Sequence, residues 1–161
     1  MSMPPFLTLL KSANRIVLSD YPTCEFLFAD GTPVRKLATH AAQVTRWRFD
    51  FARPMPGGRR RSIFLDYRRG RFGVPTDSPN AWLGNKIIPL PIPMGLAKAI
   101  RIKARAGYVD PFSGVLLMRA EAVSVKEPSY VFALPGRDVL VLVGVDSGEV
   151  TTQRVAKKRY R

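Results

Sequence analysis

The sequence predicts one α+β domain dominated by antiparallel sheet, strongly bent or closed into a partial barrel, with a single main amphipathic helix near 94–106. Three observations predict this class. A length of 161 residues fits one domain, and residues 45–53 alternate apolar and polar side chains without error. Three apolar segments near the C-terminus are joined by connectors of hairpin length. We therefore divide the chain into a domain at 1–153 and a basic tail at 154–161.

The first strands are expected close to the N-terminus. Residues 14–19 and 24–29 are short apolar segments of strand length, separated by the turn-like residues 20–23. Asp30 and Gly31 favour a tight reversal directly after the second segment. The pattern therefore predicts a hairpin in this region.

Residues 45–53 form the clearest strand. Trp47, Phe49 and Phe51 share one face, because successive side chains of a strand point to opposite sides. We assign this aromatic face to the core. The opposite face then carries Arg46 and other polar side chains.

A second strand is predicted at 62–67, after a turn at 54–58 that is rich in proline and glycine. Three consecutive arginines stand at the bend, and three more follow the strand. Five prolines then interrupt residues 73–93, where interspersed apolar side chains predict a loop packed on the body of the domain.

The helix is predicted from the spacing of apolar residues in 94–107. Its apolar stripe is Leu96, Ala97, Ile100 and Ala104. A second stripe consists of Lys98, Arg101 and Arg105, and Gly107 is a typical C-terminal stop.

Three successive strands are predicted at 115–125, 129–134 and 139–145, as an antiparallel meander. The last is almost wholly apolar, which favours a position inside the sheet. The chain after Val150 shows no apolar periodicity, so we expect it to be mobile in isolation.

The charge is unevenly distributed. The chain has 26 Lys and Arg against 12 Asp and Glu, a formal net charge of +14. Residues 46–105 contain 14 basic and three acidic residues, and the tail adds five basic residues and no acidic one. Since such a charge opposes compaction, its concentration indicates a polyanionic partner.

Several classes of function are excluded. One cysteine, Cys24, and one histidine, His40, cannot complete a disulfide or a His/Cys zinc site. No phosphate-binding loop motif occurs, and we predict no catalytic residue, metal or cofactor. The N-terminal segment lacks the basic start and long apolar run of a signal peptide, and no segment has the roughly 20 apolar residues of a membrane span. We expect a cytoplasmic protein.

The preferred function is non-catalytic binding of nucleic acid, RNA or a single strand, within a nucleoprotein assembly that includes other protein subunits. Clustered cations neutralise phosphates, and aromatic faces stack on unpaired bases. The candidates, expected to converge on one uncompensated surface, are Arg46, Arg48, Arg59, Arg60, Arg61, Tyr67, Arg68, Arg69, Arg71, Phe72, Lys98, Arg101, Arg105, Lys157, Lys158 and Arg159. Base stacking is expected of Tyr67 and Phe72, with Trp82 as a further candidate.

Two alternatives stay open. The chain is also compatible with an interaction module or inhibitor that docks an acidic protein. A metal-independent ribonuclease is the third interpretation, with His40 or Tyr67 as proton acceptor and Arg68, Arg69 or Lys98 stabilising the phosphorane.

Overall fold

The computed structural model describes residues 2–79, 85–122 and 124–155. In these ranges the chain forms two helices and one antiparallel sheet of nine strands. The helices are α1 (Phe6–Asp20) and α2 (Leu96–Arg105). The strands are β1 (Glu25–Pro33), β2 (Val44–Pro54), β3 (Arg60–Arg68), β4 (Arg71–Phe72), β5 (Thr76–Ser78), β6 (Gly114–Met118), β7 (Ser129–Leu134), β8 (Val139–Gly144) and β9 (Val150–Arg154).

The strand order is β4-β3-β2-β1-β6-β7-β8-β9, with β5 also paired to β3. The α+β class and the mostly antiparallel sheet are therefore confirmed. The sheet is open and does not close into a barrel. Closure would require β4 to pair with β9, and β4 has only two residues to offer.

The topology repeats although the sequence does not. A helix followed by three antiparallel strands occurs first as α1-β1-β2-β3 and again as α2-β6-β7-β8. The leading strands β1 and β6 pair antiparallel at the centre of the sheet, with Ala29 opposite Leu117. The two halves are therefore related by an approximate twofold axis.

Both helices pack on the same face of the sheet, which we call the core face; the other side is the outer face. The Phe6 ring of α1 lies 4.5 Å from the ring of Trp47 and 5.9 Å from that of Tyr130. Leu96 and Ala99 of α2 are buried in the same core. One continuous core therefore joins the two halves.

Residues 14–19 belong to α1, so the predicted first strand is wrong. The buried side chains of α1 recur at the three- and four-residue spacing of a helix: Phe6, Leu9, Leu10, Ala13 and Val17. A six-residue segment is too short to reveal this period, and a second helix was therefore missed.

Asp30 and Gly31 do not reverse the chain but lie inside β1, opposite Arg48 and Trp47. Position 31 requires glycine because no space remains there for a side chain. A Cβ atom at Gly31 would lie 2.6 Å from the Trp47 ring. The indole crosses over β1 at this point, and the predicted turn is wrong.

The other strand predictions hold in outline. β2 and β3 form the predicted hairpin, with the aromatic side chains of β2 in the core. β6, β7 and β8 form the predicted meander, and β8 lies between β7 and β9. The first strand of the meander is shorter than predicted and ends at Met118. The described part of the proline-rich loop is packed on the body, with Ile88 and Ile92 buried.

The predicted helix is confirmed as α2, but part of its apolar stripe is wrong. Leu96 is buried as predicted, whereas Ala97 is exposed and Lys103 is buried. The Lys103 Nζ donates to the carbonyl oxygens of Tyr108 at 2.7 Å and Asp110 at 3.0 Å. These acceptors allow a lysine to take an inward position.

Val150–Arg154 form the five-residue strand β9, which pairs with β8. The expectation that the chain after Val150 is mobile does not hold for the residues of this strand. Trp82 and the tail residues Lys157, Lys158 and Arg159 lie outside the described residues.

Candidate nucleic-acid interface

The turn between β3 and β4 carries one of the predicted binding arginines, Arg69. Arg69 and Gly70 have φ angles of 52° and 76°, and they join paired strands as a two-residue turn of the I′ kind. Residues other than glycine rarely adopt a positive φ, so the backbone of Arg69 is strained. Strain of this kind concentrates at functional sites.

This turn borders a groove of about 960 Å³. Arg46, Arg68 and Arg69 line it, Arg46 from the start of β2 and the others from the end of β3 and the turn. The rest of the lining comes from the N-terminal segment, the loop after β1 and the adjoining chain: Ser2, Met3, Pro4, Val34, Ala42, Thr45, Tyr67 and Gly70. The groove therefore combines three guanidinium groups with an apolar wall.

Two of these arginines also border a smaller hollow of about 360 Å³ on the outer face. Its lining is Asp30, Thr32, Arg46, Trp47, Arg48, Asp66 and Arg68. Since Arg46 and Arg68 belong to both, the groove and the hollow adjoin. A ligand in the groove would continue onto the outer face past these two side chains.

Arg48 is less available than the groove arginines. Its guanidinium makes two hydrogen bonds to the Asp66 carboxylate, at 2.9 and 3.2 Å, and lies 4.4 Å from the centre of the Phe64 ring. The hydrogen bond that Arg48 donates to Asp66 raises the pKa of Arg48. Arg68 lies 3.9 Å from the same carboxylate, a looser pair. Arg48 therefore helps to form the hollow through its contacts with Asp66 and Phe64, besides carrying a positive charge.

A buried carboxylate lies next to this ion pair. Asp50 is 4% exposed, and its Oδ2 has no hydrogen-bond partner among the described residues. Burial raises the pKa of Asp50 to about 7, with Arg48 opposing the rise and Asp66 and Asp30 adding to it. Burial also raises the pKa of Asp30. The charge of Asp50, beside Arg48, therefore depends on pH near neutrality.

The arginines of the β2–β3 bend lie far from the groove. β3 runs from Arg60 to Arg68, so the two ends of this strand are about 26 Å apart. Arg61 is hydrogen-bonded to Asp77 at 2.9 Å, while Arg59 and Arg60 are exposed. The bend is a separate cationic site.

The helix cations lie on the other side of the sheet. α2 packs on the core face, and Lys98, Arg101 and Arg105 are exposed on it. The outer face carries Arg48 in a row with Asp66 and Asp30. The predicted residues that the structure describes therefore occupy three places: the groove with its adjoining hollow, the β2–β3 bend, and α2. Arg71 is exposed in β4, near the groove.

The two described aromatic candidates, Tyr67 and Phe72, pack against other side chains of the domain. Tyr67 is 4% exposed and packs edge-on against Phe72, with ring centroids 4.9 Å apart. Phe72 is half-buried and also lies 6.3 Å from Phe49. Their ring faces belong to the core, because β3 places Tyr67 beside the inward-facing Trp47.

Some of the groups named for ribonuclease chemistry come together, because Tyr67, Arg68 and Arg69 all line the groove. His40 is exposed in the loop before β2, and the groove lining contains Tyr67 but not His40. Cys24 is buried, and burial raises the pKa of its thiol to about 11, so it stays protonated. Over the ranges the structure describes, no group of three His, Cys, Asp or Glu side chains could hold a metal ion. In the same ranges, no helix is long and apolar enough to cross a membrane.

Sequence reasoning missed two sets of residues. The apolar wall of the groove, including Met3, Pro4 and Val34, comes from segments with no motif. Lys11 and Arg15 of α1 are exposed on the helix side of the molecule. Their four-residue spacing would have identified a cationic helix face, had the helix itself been predicted.

Comparisons with known proteins identify a fold and no family. No protein-family model and no curated protein sequence matches the chain. Among solved structures, a Clostridium difficile 630 protein called a "putative lipoprotein" is similar, with a TM-score of 0.58 over 95% of each chain and 10% sequence identity. At this identity the similarity concerns the backbone fold alone.

Proposed function

We propose that this protein binds single-stranded nucleic acid, with RNA favoured, through the groove between the N-terminal segment and the β3–β4 turn. The observation that carries the proposal is the convergence of Arg46, Arg68 and Arg69 on one concave surface. Among the described residues, Arg46 and Arg69 form no ion pair, and Arg68 forms only the loose contact with Asp66. Phosphates attract such clusters, and the strain at Arg69 is consistent with selection for a binding position.

The groove suits a single strand better than a duplex. A strand with unpaired bases can place its phosphates on the three arginines and its bases against Met3, Pro4 and Val34. Because Tyr67 and Phe72 are packed, aromatic stacking does not contribute there. Affinity would then come mainly from phosphate contacts and show little base preference.

A salt titration with two matched variants tests the proposal. R46Q/R69Q removes two charges from the groove, and R59Q/R60Q removes two equally exposed charges from the distant bend. Fluorescence anisotropy of a labelled oligonucleotide measures affinity between 50 and 200 mM salt, a range over which phosphate contacts weaken steeply. The groove variant should lose at least about tenfold in affinity, and its slope of log K against log salt should become shallower by about 1.4.

The bend variant should lose less than about threefold, through the weakened overall field. Equal losses in both variants would show that net charge, and not the groove, determines binding. Wild-type protein that shows no salt-dependent affinity would overturn the proposal.

An acidic protein partner is the second candidate, and the outer face of the second half favours it. Leu116, Leu140 and Leu142 are only half-buried there, beside the cationic hollow. A partner with an apolar centre and an acidic rim would fit both surfaces. L116S/L142S should abolish capture of such a partner and leave oligonucleotide affinity unchanged.

A further inference from the structure

We infer that the exposed side of the helix layer binds a second nucleic-acid segment, so that one molecule bridges two strands. The inference depends on the proposed function, because it assigns a second site to the same class of ligand. We call the solvent-facing side of α1 and α2 the helix layer. Its cations are Lys11, Arg15, Lys98, Arg101 and Arg105.

These cations lie in two rows, one on each of two adjoining helices. Lys98, Arg101 and Arg105 follow one another at three- and four-residue spacing, which aligns them along α2. Lys11 and Arg15 are aligned in the same way on α1. The two helices meet at their first turns, where a Cβ atom at Gly95 would lie 3.6 Å from the Leu7 side chain.

The stability of the helices does not explain this arrangement. α2 contains no acidic residue, so no side chain at i±3 or i±4 within the helix compensates its cations. Lys98 stands in the first turn, where the helix dipole disfavours a positive charge. Within the described ranges none of the five forms an ion pair. A surface that repels itself in this way is well suited to a polyanion.

The helix layer and the groove cannot serve the same short segment of strand. α2 covers the core face of β6–β8, whereas Arg46 and Arg68 extend to the outer face of the first half. Arg68 and Arg69 lie at the end of β3 and in the turn after it, whereas α2 contacts β8, which is five strands away in the sheet order, a distance of about 24 Å. An oligonucleotide of about eight residues is within the length that one single-strand site occupies, so it would fill one surface only.

The experiment measures stoichiometry and bridging with the full chain. An eight-residue oligonucleotide is titrated by calorimetry, and energy transfer between donor-labelled and acceptor-labelled copies reports bridging. Wild-type protein should bind two copies and give energy transfer. K98Q/R101Q/R105Q should bind one copy with unchanged affinity at the groove, and its energy transfer should be lost.

A control with the same loss of charge is K86Q/K126Q/R154Q, three exposed cations outside both surfaces. It should retain two copies and energy transfer. Circular dichroism of the helix variant checks that α2 is intact. Binding of one copy by the wild type, or energy transfer that survives in the helix variant, would overturn the inference while leaving the groove proposal in place.

Two further outcomes separate the possible failures. Absence of any oligonucleotide binding by the wild type would overturn the proposed function and this inference together. If the helix variant keeps bridging but loses binding to phosphatidylglycerol vesicles, the helix layer serves a membrane surface instead, and the inference is wrong.

Discussion

The two halves of the sheet share one topology and one core, but parts of their outer faces differ in chemistry. A single cross-strand row shows the contrast: Asp66, Arg48 and Asp30 in the first half continue as Leu116, Val131 and Leu142 in the second. The strand ladder and the core require only the inward side chains to be apolar. The outward positions are free to differ, so the charges of the first half are not demanded by the fold.

Over the part of the chain that the structure describes, each half also buries one charged side chain, and these two differ in their hydrogen bonding. Lys103 in the second half donates to two carbonyl oxygens and lies 5.7 Å from the Phe112 ring centre. Asp50 in the first half leaves Oδ2 without a partner among the described residues. A buried charge is tolerated when its hydrogen bonds are satisfied and is costly otherwise. Hydrogen bonds therefore compensate the buried charge of Lys103 better than that of Asp50.

The largest effect should come from the shared core. F49A and F132A each remove a fully buried ring, one from each half. Both should lower the free energy of unfolding by about 3–5 kcal/mol, since a large cavity replaces the ring. Urea denaturation followed by circular dichroism measures the change. A small loss in one half alone would contradict the single core.

Replacing the buried lysine should have the next largest effect. K103M keeps the length of the side chain but removes the donor for the Tyr108 and Asp110 carbonyl oxygens. We expect a loss of about 2–3 kcal/mol in the free energy of unfolding at pH 7. The exposed K98M serves as control and should change stability by less than about 0.5 kcal/mol. Equal stability of K103M and wild type would show that these hydrogen bonds contribute nothing.

Replacing the buried carboxylate should stabilise the protein instead. The pKa of Asp50 is about 7 in the folded chain against 3.8 ordinarily, so the folded state binds the extra proton between these values. Wild-type stability should therefore fall as the pH rises from about 4 to 7 and level off above. D50N removes this ionisation, and at pH 8 it should gain about 1–2 kcal/mol relative to wild type.

The pH dependence of the D50N effect tests whether the buried charge of Asp50 causes the difference in stability. Denaturation of D50N and wild type at pH 5 and pH 8 should show a clearly smaller gain at the lower pH, where Asp50 is already protonated. A gain that is the same at both values would assign the effect to something other than ionisation.

The smallest effect concerns the ion pair beside the groove. D66N frees Arg48 and removes a carboxylate near Arg68. Stability should fall by no more than about 1 kcal/mol because both side chains are partly exposed. Oligonucleotide affinity should rise about two- to threefold by anisotropy, since phosphates no longer compete with Asp66. A decrease in affinity would show that Asp66 positions Arg48 for the ligand.

Local patterns predicted the parts of the fold that depend on consecutive residues. The alternation in 45–53 identified β2 and its core face, and the apolar segments near the C-terminus identified β7 and β8. The same local reasoning failed at 14–19, where a short apolar segment fits a strand and a helix equally well. It also failed at Gly31, whose glycine is required by the Trp47 ring from another strand.

The sequence by itself determined the α+β class, the alternating core face and the excess of positive charge, because each follows from the order of neighbouring residues or from composition. Only the tertiary structure decided where the charge acts. The groove exists because strand register brings Arg46 and Arg69 together with the N-terminal segment. Pairing between distant strands, which no local pattern encodes, also separates these arginines from the cations of α2.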